Sequence, residues 1–415
     1  MVEIRRRDFL KVAGAGAAAA MVPGLGTSLF AQSQRRGAPV LVVIYQRGGM
    51  DAINALIPYK DRDYRNIRPT IGVPSTDGDE GAGVLKLDST FGLHPSMLAL
   101  MPYWKAKQFA PIINVGSPHR TRSHFDAQDF MEYAAPGIRT VRNGWLNRYL
   151  STTNKVATGG EIQFRALAMQ GLLPRSLRGS YPVLAVPEKK VLQNDKVLDI
   201  FGDVYGSDPM MGKKEDDPVV ASGQQTLATL KKYKEIIKKK REGGNVQYPS
   251  GKLGQKMKDI ASVIHANAGL EVACVDVGGW DHHANEGGNV GTLSNMLKDV
   301  GDSLGAFGKD LGDRMDNTLV VVMTEFGRTC RENGNNGTDH GHGGAMFLLG
   351  GAVKGGRVHG DWLGLQKKDL YQGRDLPVTT DFRDVFASVL QNHMKFDLPR
   401  DYFPDYKPGK IRGLF

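Results

Sequence analysis

The stretch that decides the fold is T-L-V-V-V-M-T, from Thr318 to Thr324. It is apolar almost throughout, which is typical of a strand buried on both faces of a parallel sheet. A polar segment containing glycine, E-F-G-R-T from Glu325 to Thr329, follows it at once. In open α/β sheets ligands bind beyond the carboxyl ends of the strands, so this segment is a first candidate for a binding site.

Other parts of the chain repeat this pattern of strands separated by helices. Further apolar runs predict strands at Val40–Tyr45, Phe109–Val115, Glu271–Val277 and Ala345–Leu349. Helical periodicity predicts helices at Pro95–Lys107, His124–Ala134, Gln224–Lys240, Gly254–Ala268, Gly291–Arg314 and Asp381–His393. The alternation predicts an α/β fold with a doubly wound, mostly parallel sheet and helices on both faces. We expect one domain over residues 32–415, with an insertion or cap at about 159–249, where no strand periodicity is visible.

The N-terminus reads as an export signal. Arg6 to Lys11, R-R-D-F-L-K, matches the twin-arginine pattern, and a weakly apolar run from Val12 to Gly26 follows it. That run is too short and too rich in glycine to span a membrane, and it contains Pro23. We therefore predict a signal peptide over residues 1–31, removed after export by the twin-arginine machinery to the periplasm or cell envelope. The mature chain is expected to have no transmembrane segment.

Composition limits the partners of the chain. The net charge of +10 over 415 residues suits anionic partners, whether small phosphorylated molecules or an envelope surface, and no nucleic-acid-binding motif is visible. The densest basic run, Lys231 to Arg241, is interpreted as a solvated helix face, with an anion-binding helix as the alternative. The two cysteines, Cys274 and Cys330, match no zinc or redox spacing.

Polar clusters containing glycine follow the predicted strands. R-G-G-M-D begins at Arg47, G-G-W-D-H-H-A-N-E begins at Gly278, and T-D-H-G-H-G-G begins at Thr338. Carboxylates and imidazoles that face one point are how proteins hold a divalent metal. Because the tips of parallel strands meet in one crevice, we predict a single metal centre there. The candidate ligands are Asp51, Asp281, His283, Glu325, Asp339, His340 and His342.

The first three candidates have other readings. Asp51 is also placed to cap the helix that would begin after it. Asp281 and His283 are one residue apart, so they point to the same side of an extended loop, which favours metal over a simple capping aspartate. His282 would then point away from the site.

The later candidates also leave alternatives open. Glu325 ends a buried strand, where it could bind metal, orient a ligand from behind or pair with Arg328. Among Asp339, His340 and His342, one residue could stand behind the ligands rather than bind the ion. A plain glycine-rich turn would need no histidines, so this cluster is the strongest of the three.

The segment from Gly116 to Asp129 is interpreted as the reaction end of the site. Ser123 precedes a predicted helix, where it could cap the helix or act as a nucleophile on an anionic substrate, with Thr121 as the second candidate. A metal-activated water is the alternative nucleophile. Arginine offers planar paired donors for phosphate or sulfate. The candidate substrate-binding residues are Arg47, Arg120, Arg122 and Arg328.

Taken in order, these motifs resemble the exported bacterial family known as domain of unknown function 1501. That family resembles, more distantly, the alkaline phosphatase superfamily, which includes sulfatases and cofactor-independent phosphoglycerate mutases. The resemblance implies a parallel-sheet fold with one or two divalent metals at the strand ends. Carried onto this chain, it implies a metal-binding Asp51, a nucleophile at Ser123 or Thr121, a loop pair Asp281 and His283, and a late histidine at His340 or His342.

The chain also departs from the superfamily. An Asp-His dipeptide is usual after a late strand, but Glu325 and Phe326 stand at the obvious position here, and Asp339 with His340 could supply it instead. The superfamily's loop aspartate and histidine are usually three residues apart, wider than here. The sulfatase nucleophile motif C-x-P-S-R is absent, which argues against a formylglycine sulfatase.

The leading hypothesis is an exported, metal-dependent hydrolase of phosphate or sulfate esters. The histidines favour zinc, while the carboxylates leave manganese, calcium or magnesium open. The alternative is a non-catalytic envelope scaffold or binding protein that keeps the fold and a structural metal. An enzyme acting on envelope glycans or lipids through their anionic groups is a third reading.

Overall fold

The computed structural model describes residues 38–75, 83–153, 164–187, 218–239 and 246–415, together with residues 192 and 199. The predicted signal peptide, 1–31, and parts of the predicted insertion, 159–249, lie outside the described residues. The described residues form two compact units. The larger lies within 39–141, 245–258 and 276–415, and the smaller within 142–244 and 259–275. The single domain with an insertion stays a prediction.

Strands and helices alternate along the chain. The strands are β1 (Val40–Arg47), β2 (Leu56–Ile57), β3 (Leu85–Lys86), β4 (Gly92–Leu93), β5 (Phe109–Gly116), β6 (Ala166–Ala168), β7 (Leu184–Ala185), β8 (Val272–Gly278), β9 (Thr318–Met323), β10 (Gly344–Gly350) and β11 (Thr380–Asp381). The α-helices are Ala52–Ala55, Arg62–Ile67, Met101–Lys105, His124–Glu132, Trp145–Thr152, Pro218–Lys238, Lys252–His265, Thr292–Leu311 and Phe382–Ser388. Short 3-10 or π turns lie at Pro95–Leu100, Arg175–Leu177, Gly312–Asn317 and Val389–His393.

The larger unit contains the strands that carry the candidate site. Their order is β11-β5-β10-β9-β1, with β1 parallel to β9, β11 parallel to β5, and β10 antiparallel to both of its neighbours. Every residue of β5, β9 and β10 is buried, as their apolar runs predict. Because β10 runs against its neighbours, Gly344 at its start pairs with Val115 at the end of β5. The segment before β10 therefore lies at the edge where β5 and β9 end.

The smaller unit contains short parallel strands. β6 pairs in parallel with β7 and with the first residues of β8, where Ala166 lies opposite Val272. Both β6 and β7 fall in the stretch that shows no strand periodicity in the sequence. With three and two residues they are too short to produce any. The strand pairings of the two units confirm the predicted α/β fold with a mostly parallel sheet.

The five predicted strands are confirmed, with ends that differ by one or two residues. The helix predicted at Pro95–Lys107 is divided into a 3-10 turn and a short α-helix, and the one predicted at Asp381–His393 ends in a π turn. Cys274 and Cys330 are both buried, and neither forms a disulfide within the described residues. Among the described residues, no helix combines the length and the apolar character needed to cross a membrane.

Candidate metal centre

Three imidazole rings and one carboxylate converge at this edge of the sheet. The Nε2 atom of His340 lies 3.0 Å from Nε2 of His124, 3.0 Å from Nε2 of His283 and 3.1 Å from Oδ1 of Asp281. The Asp281 carboxylate is also 3.3 Å from His124 Nε2 and 3.0 Å from His283 Nε2. Ligand atoms bound tetrahedrally at about 2.0–2.1 Å from one zinc ion are about 3.3 Å apart. The ligand atoms of His124, Asp281 and His340 all lie within 4.8 Å of one another, so these three side chains could hold a single ion. His283 lies beside this group, in contact with His340 and Asp281.

Each of the four residues stands beside the end or the start of a strand. Asp281 and His283 follow β8, His340 precedes β10, and His124 opens the helix that follows β5. The Asp281 loop passes very close to Gly48, which has a φ of 125°. A Cβ atom on Gly48 would lie 2.6 Å from the backbone nitrogen of Asp281. The glycine of the R-G-G motif thus allows two loops to meet at the site.

Glu325 holds the ring of His124 from behind. Its Oε1 atom lies 2.7 Å from His124 Nδ1 and also accepts hydrogen bonds from the Gly48 nitrogen and from Gln128 Nε2, both at 2.9 Å. This fully buried carboxylate keeps the ring proton on Nδ1 and leaves the Nε2 lone pair facing the cluster. The hydrogen bond with Glu325 raises the pKa of His124, outweighing burial, which lowers it.

The other two rings are held through Nδ1 as well. His340 Nδ1 donates to the carbonyl oxygen of Arg122 at 2.7 Å, and His283 Nδ1 lies 3.1 Å from Oδ1 of Asp339. A carbonyl oxygen can only accept, so His340 carries its proton on Nδ1 and its Nε2 lone pair faces the site. Burial lowers the pKa of His340, which favours the neutral ring that a metal requires.

Arg328 orients the carboxylate of Asp281. Its Nη1 lies 2.6 Å from Asp281 Oδ1, and its Nε donates to Thr338 Oγ1 at 3.1 Å. Burial raises the pKa of Asp281, but the hydrogen bond and charge of Arg328 outweigh burial and lower it overall. Arg328, a predicted substrate-binding residue, is buried. Its guanidinium group contacts Asp281, a candidate metal ligand, and not solvent.

Asp51 is not brought into this cluster. Arg68 Nη2 lies 3.0 Å from Asp51 Oδ1, and Arg68 Nη1 contacts Asp51 Oδ2. Both side chains are buried, and Arg68 also donates to the carbonyl oxygens of Cys330 at 2.8 Å and Thr329 at 2.9 Å. Both oxygens of Asp51 therefore face a guanidinium group.

Two other predicted residues lie apart from the four converging side chains. The ring of His342 is buried and stacks on Tyr371, with 4.2 Å between ring centres. Arg47 pairs with Glu132 at 3.1 Å and with Asp276 at 2.8 Å. The Arg47 guanidinium group is thus engaged by two carboxylates of the protein itself. Of His340 and His342, which are two residues apart, only His340 faces the cluster.

The predicted reaction end is more open. Ser123 is exposed at the start of the helix His124–Glu132, its side chain does not cap that helix, and its backbone nitrogen donates to Thr121 Oγ1 at 3.2 Å. Arg120 is exposed. The roles proposed for Ser123, Thr121 and Arg120 stay predictions.

The main residue that the sequence reasoning missed is His124, which was assigned only as a helix start. His124, Gln128 and Glu132 are spaced by four residues and lie on one face of the helix. All three contact Glu325 or Arg47 at the strand tips. A polar stripe on a helix next to a predicted strand end is the signal that could have identified His124.

The fold and this site define an α/β protein with an imidazole–carboxylate cluster at the strand ends. Residues 38–402 match the family described as "Protein of unknown function (DUF1501)", and the chain belongs to that family. Residues 3–23 match the twin-arginine translocation signal sequence, which confirms export to the periplasm or envelope. A comparison with curated proteins gives no match.

Several solved structures are weakly similar to this chain. The PsFucS1 sulfatase from Pseudoalteromonas sp. is 13% identical over 100% of this chain and 77% of its own, with a TM-score of 0.39. A protein in the alkaline phosphatase superfamily from Vibrio parahaemolyticus is 9% identical over 96% and 81%, with a TM-score of 0.36. The C-terminal periplasmic domain of EcEptC from Escherichia coli, in complex with Zn, is 10% identical over 78% and 75%, with a TM-score of 0.35.

Proposed function

We propose that this protein is an exported, metal-dependent hydrolase of phosphate or sulfate esters. The observation that supports it is the convergence of His124, His340 and the Asp281 carboxylate, whose ligand atoms lie 3.0 to 3.3 Å apart. Imidazole nitrogens with one carboxylate suit zinc, with manganese second. Calcium and magnesium prefer sites made of oxygen atoms, so this donor set disfavours them.

The buried pair of Asp51 and Arg68 favours one ion rather than two. Asp51 is the residue that the family resemblance implies as a metal ligand, but a guanidinium group contacts both of its oxygens. A second divalent cation bound there would have to displace or repel that fixed positive charge. We therefore propose a single zinc ion held by His124, Asp281 and His340, with His283 beside them.

The residues around the ligands hold them in the form that binds metal. A bound ion would supply Lewis acidity, polarising the ester and lowering the pKa of an attacking hydroxyl or water. Glu325 and Asp339 fix the ring protons of His124 and His283, and Arg328 keeps Asp281 ionised. Ser123, at the exposed start of a helix, is the proposed nucleophile, with Thr121 or water as alternatives.

The test is metal content and ester hydrolysis of the protein exported with its own leader. We expect about one zinc per chain and hydrolysis of an aryl phosphate or an aryl sulfate that a chelator abolishes and zinc restores. The double variant His124→Ala/His340→Ala should lose both. His265→Ala, which changes a histidine at the end of the helix Lys252–His265, is the matched control and should keep both.

The outcomes separate the two functional hypotheses. Stoichiometric zinc in the double variant would overturn the metal site. A second candidate function, a non-catalytic envelope binding protein, has one observation in its favour: the Ser123 hydroxyl makes no hydrogen bond to a side-chain base within the described part of the chain. Zinc that is held tightly without turnover of either ester would favour that candidate.

A further inference from the structure

Two arginines, Arg122 and Arg374, are fixed by one buried carboxylate. Arg122 Nη2 lies 2.6 Å from Oδ2 of Asp375, and Arg374 Nε lies 2.9 Å from Oδ1 of the same residue. The Asp375 side chain is 0% exposed, whereas those of Arg122 and Arg374 are 32% and 45% exposed. A single buried anion thus holds two guanidinium groups at the surface.

Both arginines contact His340, one of the four converging residues. The carbonyl oxygen of Arg122 accepts the hydrogen bond from His340 Nδ1 at 2.7 Å. Arg374 Nη2 donates to the carbonyl oxygen of His340 at 2.6 Å. Both arginine residues therefore adjoin His340, a residue of the proposed metal centre.

The segment that carries Arg374 and Asp375 is tied to the rest of the site. The backbone of Asp375 forms isolated bridges with Thr329 and with Tyr371. The Cys330 nitrogen donates to the carbonyl oxygen of Arg374 at 3.1 Å. Positions fixed in this way lose little entropy when a ligand binds.

The guanidinium groups of Arg122 and Arg374 still have hydrogen-bond donors and positive charge that the described residues do not use. Each guanidinium carries five N–H donors in a planar fork, and the Nη1 group of neither arginine makes a hydrogen bond within the described residues. The Nε atom of Arg122 is buried and also makes none there. Two guanidinium groups against one carboxylate leave one positive charge in excess. Planar, charged donors of this kind bind tetrahedral oxyanions well.

We propose that Arg122 and Arg374, fixed by Asp375, form the subsite for the tetrahedral oxyanion of the substrate, a phosphoryl or sulfuryl group. The proposal rests on the proposed function and extends it, because it adds Arg374 and Asp375 and says which group lies against them. Arg122 and Arg374 hold the anion next to the metal centre, and Asp375 positions both.

The test is the binding of inorganic phosphate and inorganic sulfate to the exported protein, measured by calorimetry together with its zinc content. Arg374→Gln removes the charge but keeps an amide donor within reach of the His340 carbonyl. We expect about a tenfold or greater loss of affinity for the anion that binds, with zinc content unchanged. Arg139→Gln is the matched control, since Arg139 also pairs with an aspartate, Asp126, at 2.8 Å. It should bind the anion as the wild type does.

The outcomes keep this proposal distinct from the proposed function. Wild-type anion affinity in Arg374→Gln, or a loss of zinc together with the anion, would overturn the subsite and leave the arginines a structural role. A wild-type protein that holds zinc but binds neither anion would also overturn it. If the wild type holds no zinc, the proposed function fails. The anion titration then still decides, because a tenfold difference between wild type and Arg374→Gln supports the subsite and equal affinities reject it.

Discussion

His124 Nε2 and His340 Nε2 lie 3.0 Å apart, although neither nitrogen has a proton to share when the rings are neutral. The proton of His124 is on Nδ1, bound to Glu325, and that of His340 is on Nδ1, bound to the carbonyl of Arg122. Two lone pairs at this distance repel each other unless a cation lies between them. With the Asp281 carboxylate 3.1 Å from His340 Nε2, a divalent metal fits the donors better than a shared proton.

Replacing the carboxylate behind His124 should weaken metal binding without unfolding the protein. Glu325→Gln can still accept from the Gly48 nitrogen, but it removes the negative charge that supports the His124 ring. We expect zinc affinity to fall about 10- to 100-fold, measured by competition with a chelator. Glu332→Gln is the control, because Glu332 accepts from the Thr70 and Ile71 nitrogens instead. Unchanged affinity in Glu325→Gln would contradict the role of Glu325.

Breaking the buried pair of Asp51 and Arg68 should be costly for stability. Arg68→Met leaves the Asp51 carboxylate buried without its partner, so we expect the free energy of unfolding to fall by about 3–5 kcal/mol in urea titrations. The double variant Arg68→Met/Asp51→Leu should recover most of that loss, since it removes the charges of both partners. Equal destabilisation in the single and double variants would count against this account of the pair.

The glycine that lets two loops meet should tolerate no side chain. In Gly48→Ala the new Cβ would lie 2.6 Å from the Asp281 nitrogen, at a φ of 125°. The Asp281 loop must shift, so we expect zinc affinity to fall by about tenfold or more. Gly334→Ala is the control, because a Cβ at Gly334 meets nothing within 4 Å. Equal zinc affinity in the two variants would show that the close approach is unimportant.

Acid should destabilise the protein partly through His393. Burial lowers its pKa from 6.5 to about 4, and its Nε2 lies 3.0 Å from the carbonyl oxygen of Val40. A histidine with a lowered pKa in the folded state binds its proton more readily when unfolded. The resulting destabilisation is therefore absent above pH 6.5, grows as the pH falls, and is complete near pH 4. By linkage it amounts to about 3 kcal/mol.

The check on this pH dependence is the free energy of unfolding measured by urea titration between pH 7 and pH 4. His393→Gln should flatten the slope over that range, even if the variant is less stable at pH 7. An unchanged slope in the variant would show that His393 does not titrate in this way.

The strands could be predicted from the sequence, but the direction of β10 could not. Continuous apolar runs such as Thr318–Met323 identify buried strands, because burial on both faces selects apolar residues at every position. The direction of a strand depends on its pairing with segments far away in the sequence. The hydrophobic pattern of the strand itself does not predict that direction. The antiparallel run of β10 is what carries His340 to the edge where β5 and β9 end.

The sequence predicts the kind of site, but it identifies only some of the residues that form it. Asp281, His283 and His340 stand out because glycine-rich turns rarely need such side chains. His340 and His342 could not be told apart, since the choice depends on backbone bonds between Gly341 and Gly327 at 2.9 Å and between Gly327 and His342 at 3.1 Å. Arg68 and Asp51 flank two different helices, so no local sequence pattern predicts their ion pair.

X-ray absorption spectroscopy of the zinc-loaded protein tests the central claim most directly. The proposed site predicts one zinc per chain, bound by nitrogen and oxygen atoms only, with outer-shell scattering from the imidazole rings of His124 and His340. The His340→Ala variant should lose one of those rings from the spectrum. A chain that binds no zinc, or a spectrum with fewer than two imidazoles in the wild type, would contradict the metal centre proposed from His124, His340 and Asp281.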